Sequence, residues 1–598
     1  MNVVMIDGGI RTNHPGLQSI DITQYHNTNG NWTVAKEIRE ETGHGTAIAN
    51  ILASHMDKKI RLINFCVFNK ELKTSVELLV SALEYIYCNI DTAIINLSLG
   101  SLFDNERLRC ICKKISEKGV ILVAGFDNNG AVSFPAAYDC VLSVDTSFRC
   151  LHKNDFVYVE NSIVNLRAMG GNQRVAWNNP DYIITSGTSF ATAHVTREII
   201  SECIGENLAC VLEHFKKNAR YIYYNPIDHE NRFSKELFDI SRAALFPFSK
   251  EIQSLLNFSD MLEFNIAGVY DIKYSGHVGL TFVSLNQAKT FEIENFDSCK
   301  WGEIDTFILG HVMDFNSAIR TQIIEKVISN CIQNKVNLFC LDFQIYIEYK
   351  EQFAAENIKI YTPYIDELKK NKFGKLYKIE RPVLSVFGTS SAQGKFTLQL
   401  QLRQTFLDHN YNLGQLGTEP TARLFGMNDC FPFGYNSPLR NGNVDNFEYI
   451  EIVNSMLHKI DSTAPDIIMT GCQSNIAPIL YSNLRNITLD QIAFLIGINP
   501  DAVVLCVNPY DHFDYIQRSI QTIEGLSYAK VIAIALYPFT FESNWAIVKG
   551  KRCKLSEEQV FAVRKKLENR FNLPVYEIGN SEDTKCLFKR CIDYFTKK

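Results

Sequence analysis

Four apolar runs within the first 130 residues each end in turn residues, and this repeat constrains the fold more than any other feature of the chain. VVMIDGGI (3–10), RLINFCVF (61–68), TAIINLSLG (92–100) and GVILVAGFDNNG (119–130) have the length and composition of buried strands. The segments TSVELLVSALEYIYCN (74–89) and DNERLRCICKKISEKG (104–119) between them carry helical patterning. Strand alternating with helix implies a parallel, doubly wound α/β sheet. Open sheets of this kind gather ligands outside the carboxyl ends of their strands. Asp7, which closes the first run, stands at such an end.

The chemistry-bearing stretch is TSGTSFATAHV (185–195), a small-residue turn followed by small helix formers. It puts the Ser189 hydroxyl at a helix N-terminus, where backbone N–H groups and the helix dipole favour an oxyanion. A serine is a weak nucleophile without a base. TGHGTAIANIL (42–52) supplies His44 at a helix start, with Gly43 and Gly45 allowing close backbone approach. The order Asp7, His44, Ser189 is one of the known orders of a serine triad. With these motifs the first third of the chain resembles the subtilisin-like serine peptidases.

That resemblance implies a role for two further strand ends. INLSLGS matches the family's substrate-binding segment, so Ser98, Leu99 and Gly100 are expected to pair with an extended peptide. VAGFDNNG followed by SFPA matches the stretch carrying the oxyanion asparagine, which implies Asn128 in that role, with Asn129 a rival by one position. There are departures from the pattern. Ala193 stands where the family has proline before the histidine, and His194 itself reads as structural. Phe126 and Asp127 replace small residues beside the specificity pocket, and Asp127 there would favour a basic substrate side chain. No propeptide precedes Asp7, so folding support is expected from within the chain. The domain is expected to span 1–220, ending on the helix NLACVLEHFKKNAR. A degenerate, inactive subtilase is the competing reading.

Residues 221–243 read as a polar linker, and 244–380 as a Rossmann-like α/β domain. It has no G-x-G-x-x-G fingerprint, so no dinucleotide is expected; Gly310 and His311 end a strand and are candidates for a ligand crevice or for a structural role. In the last domain, 381–598, RPVLSVFGTSSAQGKFTLQL reads as strand, glycine loop and helix. The loop departs from strict Walker A spacing by one residue, with Phe396 before Thr397, and resembles the variant phosphate loop of dethiobiotin synthetase-like proteins. Gly388, Gly394, Lys395 and Thr397 are therefore the expected nucleotide-binding residues, for ATP or GTP with magnesium held by Thr397 or Ser391. The middle and last thirds together resemble a family joining a Rossmann-like half to a P-loop half. That family has an acidic residue where this chain has Thr470, which argues against hydrolysis; Glu419 and Asp445 are the substitutes at hand. The whole layout resembles bacterial proteins of bacteriocin-type peptide-maturation systems.

Bulk properties exclude several classes. The chain has 598 residues, enough for about three or four domains. A net charge of -6 without long single-sign runs gives no footprint for nucleic acid. No apolar stretch approaches the roughly 20 residues of a membrane span, and the N-terminus is not a signal peptide. The 17 scattered cysteines lack zinc spacing, so no metal site is expected and reduced thiols in the cytoplasm are. The expectation is thus a cytoplasmic serine endopeptidase, needing no cofactor for cleavage. It trims a ribosomally made precursor peptide beside other maturation proteins, with a C-terminal nucleotide-binding module in a regulatory or accessory role. The alternative is a nucleotide-dependent ligase-like or kinase-like enzyme, or a precursor-binding scaffold, with an accessory peptidase domain.

Overall fold

The computed structural model describes residues 2–597 except 19, 36–41, 55–59, 225–236, 286–287, 313–314, 316, 364–371, 433–444, 480–487 and 542–551. The chain divides into two compact units, one of Met1–Asp228 with Leu368–Lys378, the other of His229–Glu367 with Ile379–Lys598.

The first unit is built on β1 (Asn2–Asp7), β2 (Asp21–Thr28), β3 (Asn31–Val34), α1 (His44–Ala53), β4 (Arg61–Cys66), α2 (Val76–Asn89), β5 (Ile94–Leu97), α3 (Glu106–Glu117) and β6 (Ile121–Gly125). It continues through β7 (Leu142–Thr146), β8 (Phe156–Val159), β9 (Leu166–Ala168), the hairpin β10 (Gln173–Ala176) and β11 (Tyr182–Thr185), α4 (Thr188–Glu202), α5 (Leu208–Asn218) and β12 (Tyr221–Tyr223). Ten of these strands form one sheet in the order β12-β8-β9-β7-β6-β5-β1-β4-β2-β3. The expected parallel core is present: β1 pairs in parallel with β4 and β5, and β5 with β6.

Both faces of that core are covered, which is why its strands are mostly apolar on both sides, with Asp7, Asn64 and Asn96 the buried polar exceptions. Along β1, Val4 and Ile6 enter the core shared with α2 and α3, while Val3 and Met5 enter the core shared with α1 and α4. Side chains cap α2, α3 and α5 at Ser75, Asn105 and Asn207. By contrast, α1 and α4 start on Gly43 and Gly187 with no side-chain cap. These two uncapped helices carry His44 and Ser189.

The second unit holds two seven-stranded sheets. The first contains β13 (Arg242–Phe246), β14 (Asn265–Asp271), β15 (Thr281–Val283), β16 (Thr290–Asn295), β17 (Thr306–Leu309), β18 (Asn337–Cys340) and β19 (Ile360–Tyr361), in the order β15-β16-β14-β13-β17-β18-β19. The second contains β20 (Val383–Gly388), β21 (Leu413–Gly417), β22 (Asp429–Cys430), β23 (Ile467–Gly471), β24 (Ala502–Val507), β25 (Lys530–Leu536) and β28 (Val575–Glu577), in the order β22-β21-β23-β20-β24-β25-β28. A separate ribbon pairs β26 (Phe539–Phe541) with β27 (Arg552–Lys554). The fold class is the expected one: α/β throughout, a subtilisin-like parallel sheet followed by Rossmann-like and P-loop-type sheets.

The boundaries differ from the sequence reading in three places. Tyr221–Tyr223 pair in parallel with Val157–Val159, so the segment expected to open the linker closes the first sheet instead. Residues 225–236 of that linker lie outside the described residues. At its other end β13 already begins at Arg242, two residues before the expected domain start. Residues 372–378, expected at the end of the Rossmann-like domain, belong to the first unit. Local patterning did not reveal these assignments, because a three-residue edge strand and an irregular segment are fixed only by distant partners.

Candidate active site

The site residues stand at strand ends and helix starts. Asp7 is the last residue of β1, fully buried. Its Oδ1 accepts from the Gly8 N–H at 2.7 Å and from His44 Nδ1 at 2.7 Å. That bond fixes the tautomer with the proton on Nδ1, leaving the Nε2 lone pair as the base. The His44 ring lies near Phe190, at 6.0 Å between centroids, and edge-on to Phe68 at 6.2 Å. The helix start that places it depends on glycine. Gly43 has φ +81°, and a Cβ on Gly45 would lie 2.4 Å from the Gly9 carbonyl oxygen. Beneath, buried amides hold the turn after β1: Asn64 Nδ2 donates to the Gly8 carbonyl at 2.8 Å, and Gln24 Oε1 accepts from the Ile10 N–H at 2.8 Å.

Ser189 is the second residue of α4. Its hydroxyl donates to the Ser98 carbonyl at 3.2 Å. Asn128 Oδ1 accepts from the Thr188 N–H at 2.8 Å and from Thr188 Oγ1 at 2.5 Å. The bond from the Thr188 N–H assigns the oxygen of the amide, so its NH2 group remains available as a donor, in the pattern of an oxyanion donor. Asn129 has instead a backbone N–H bond to Asp127 Oδ2 at 2.8 Å. The structure thus ties Asn128, and not Asn129, to the serine helix. Thr188 was missed in the sequence; its place inside GTSFA was the available signal.

The stretch expected to bind an extended peptide follows β5 directly. Ser98 and Leu99 are buried and Gly100 is exposed. The following residue, Ser101, exchanges two backbone hydrogen bonds with Phe134 at 2.7 and 2.8 Å. Asp127 is half-buried, its N–H bonded to Ser133 Oγ at 3.0 Å, while its carboxylate caps its own turn. His194 is a core residue, as expected. Its Nε2 contacts Gln173 Oε1 at 2.7 Å and its Nδ1 faces Arg197 Nη1 at 3.1 Å, so the ring is neutral, donating to the amide and accepting from the guanidinium. Burial pushes its pKa down to about 3, and the nearby Arg197 cation adds to the effect.

In the second unit β20 ends at Gly388, and the helix Lys395–Asp408 starts after Gly394 at φ +72°. The Lys395 ammonium is buried and donates to the Ser390 carbonyl at 2.5 Å. Desolvation lowers its pKa, since the described residues give it no carboxylate at ion-pair distance. Gln393 Oε1 accepts from the Ser390 N–H at 2.9 Å, closing the loop on itself. A Cβ on Gly388 would lie 2.5 Å from Gln393 Oε1 and 2.9 Å from Lys395 Cδ, so this glycine is required for the lysine to fold back over the loop. Thr397 is half-buried on the helix's first turn, and Ser391 is exposed. Thr470 bonds Ser385 across β20 and β23 at 2.6 Å, inside the sheet. Of the two acidic substitutes, Asp445 caps the helix Asn446–Asp461. Glu419 instead interacts electrostatically with Lys250 and Lys395, although burial raises its pKa overall. A buried cation, positive-φ glycine and helix N-terminus fit a phosphate group.

Gly310 and His311 follow β17. The Gly310 N–H donates to the Phe246 carbonyl at 2.6 Å, and His311 lies within electrostatic reach of Asp342. Among the described residues no group of His, Cys, Asp and Glu is placed to hold a metal ion, and no helix is long and apolar enough to cross a membrane.

A parallel sheet with Asp7, His44 and Ser189 in this order defines a subtilisin-like domain, followed here by a P-loop domain. Residues 2–199 match the Subtilase family (Peptidase_S8). Residues 371–585 match a domain of unknown function described as the DUF1611_C P-loop domain. Among curated proteins, the chain is similar to the Minor extracellular protease Epr of Bacillus subtilis (strain 168), 29% identical over 167 residues, 26% of each chain. It is also similar to the Major intracellular serine protease of the same organism, 26% identical over 213 residues, 33% of this chain and 66% of that one. The chain thus spans about a quarter of the first relative's length and just under two thirds of the second's. Among solved structures, a cold adapted subtilisin-like serine proteinase aligns over 36% of this chain and 81% of its own, at 20% identity and a TM-score of 0.31.

Proposed function

We propose that the first unit is a serine endopeptidase. Ser189 Oγ attacks the scissile carbonyl, His44 Nε2 takes its proton and returns it to the leaving amine, and Asp7 holds the imidazole tautomer and stabilises the imidazolium. Asn128 Nδ2 and the Ser189 N–H receive the developing oxyanion. The observation that carries this reading is the 2.7 Å bond between buried Asp7 and His44, whose ring lies 6.0 Å from that of Phe190, the residue after Ser189 on the uncapped first turn of α4. In the free protein the serine hydroxyl points to Ser98, so it must rotate towards His44 as a peptide binds along 98–100.

The substrate proposed is a ribosomally made precursor peptide, cleaved in the cytoplasm during maturation of a peptide product, with other maturation proteins as partners. Support comes from the layout of the chain, a peptidase joined to a two-part α/β module. The second unit is proposed to bind ATP or GTP in a regulatory or accessory role. Lys395 and the amides after Gly388 would hold the phosphates, and Thr397 magnesium; support comes from the buried Lys395 ammonium, which no carboxylate among the described residues meets at ion-pair distance.

Labelling with a fluorophosphonate followed by mass spectrometry tests the first assignment. Covalent mass is expected on Ser189 in the wild type and none in Ser189→Ala, which also loses peptide cleavage. Unchanged cleavage by Ser189→Ala would exclude the assignment. Calorimetry with magnesium and ATP or GTP tests the second. Lys395→Ala is expected to weaken binding by about 1.5–3 kcal/mol without affecting Ser189 labelling. No binding of either nucleotide to the wild type would make the loop a structural turn.

A further inference from the structure

Residues 372–378 lie more than 170 positions beyond residue 199, where the Subtilase match ends, yet they pack into the first unit. The segment KFGKLYK opens with a tight turn in which the Lys375 N–H bonds the Lys372 carbonyl at 3.1 Å. Both central residues have positive φ, Phe373 at 58° and Gly374 at 76°. Positive φ is unfavourable for a bulky residue and persists only where the surroundings over-determine it. Here the Phe373 ring lies under the Arg167 guanidinium at 4.7 Å and edge-on to Tyr223 at 5.5 Å.

After the turn, Lys375 enters the unit. Its side chain is 5% exposed, its ammonium is 3.0 Å from Asp145 Oδ2 on β7 and lies 5.0 Å above the Phe126 ring. The next carbonyl, of Leu376, accepts the Val132 N–H at 3.0 Å. Tyr377 stacks on Phe134 at 6.5 Å, and the Lys378 ammonium lies 4.9 Å from the Phe103 ring centroid.

The contacts with Phe126, Val132 and Phe134 fall beside residues expected to bind substrate. Phe126 precedes Asp127 and Asn128. Val132 precedes Ser133, whose hydroxyl accepts the Asp127 N–H. Phe134 is the backbone partner of Ser101, next to the 98–100 edge. One short segment therefore touches both the 126–134 loop and Phe103, two residues beyond Ser101, which follow the stretches expected to bind an extended peptide.

On the reading of the first unit as a peptidase, we propose that residues 372–378 are a brace that sets its specificity cleft, with Lys375 the positioning residue. The brace touches neither Ser189 nor His44; it acts through the 126–134 loop. Because Asn128 in that loop is separately tied to Thr188 on α4, while Phe126 and Asp127 depend on the braced part, losing the brace changes peptide binding before it changes the oxyanion donor or the triad.

The test uses the full chain and three variants, Lys375→Met, Asp145→Asn and Lys375→Arg. Hydrogen exchange of the 127–134 amides reads the brace directly, whether or not the protein cleaves anything. Exchange there is expected to quicken in Lys375→Met and Asp145→Asn, with α4 unchanged, and to return towards wild type in Lys375→Arg, which keeps the ion pair. For a peptide substrate KM is expected to rise by about ten-fold in the first two variants, while fluorophosphonate labels Ser189 at a rate within about two-fold of wild type. Unchanged exchange in both variants overturns the brace. Quickened exchange with KM unchanged, and with labelled fraction and kcat falling together, shows a purely structural segment and also overturns it. A wild type that neither labels nor cleaves removes the peptidase reading and with it the specificity role, whatever the exchange shows.

Discussion

At the scale of single residues, polar groups within one buried site have opposite tasks. His44 is held by a carboxylate and faces the cleft, whereas His194, on the serine helix, is held by an amide and a guanidinium inside the core. The consequence for stability follows from His194. Its folded pKa lies near 3, below the ordinary value of 6.5, so the folded state binds fewer protons than the unfolded chain in between. The stability gained from the neutral ring is complete above pH 6.5 and is lost as pH falls towards 3, at up to about 1.4 kcal/mol per pH unit for one proton. Urea unfolding of wild type and His194→Gln between pH 7 and pH 5 is expected to show a shallower loss in the variant. Parallel curves would mean that His194 does not carry this dependence.

At the scale of elements, the helices α1 and α4 are placed by close backbone approach rather than by caps. Adding one methyl group at Gly45 tests this, because its Cβ would meet the Gly8 and Gly9 carbonyl oxygens at 2.6 and 2.4 Å. Gly45→Ala must push α1 off the end of β1 and draw His44 away from Asp7. The expected cost is about 1–3 kcal/mol in stability, with a fall in peptidase kcat/KM larger than the fall in folded fraction. Gly171→Ala is the matched control, since nothing lies within 4 Å of its added Cβ. Equal effects of the two substitutions on activity would count against the packing argument.

At the scale of the whole molecule, the first unit is discontinuous in sequence. Phe373 and Tyr377, from beyond the first sheet of the second unit, pack partly buried against the core of the first. A fragment of residues 1–224 therefore exposes the surfaces of Phe126, Phe134 and Tyr223 and leaves Asp145 without its lysine. It is expected to be less soluble than the full chain, to melt at a lower temperature and to cleave peptides poorly. A fragment as stable and as active as the full protein would show that the downstream segment is dispensable.

The motif residues were legible in the amino-acid sequence because their signals are local. Asp7 closes an apolar run, His44 lies between two glycines, Ser189 lies in a small-residue turn, and Lys395 follows a strand and a glycine loop. Each pattern is set by backbone demands within a few residues of the side chain it presents. The α/β class was legible for the same reason, since strand and helix differ in the period of their apolar positions. Only tertiary structure ties Asn128, rather than Asn129, to the serine helix, through Thr188 sixty positions away. It also placed Tyr221–Tyr223 in the first sheet and Lys375 on Asp145. Those pairings join groups far apart in sequence, and no local periodicity encodes the partner of a short edge strand or of a buried charge.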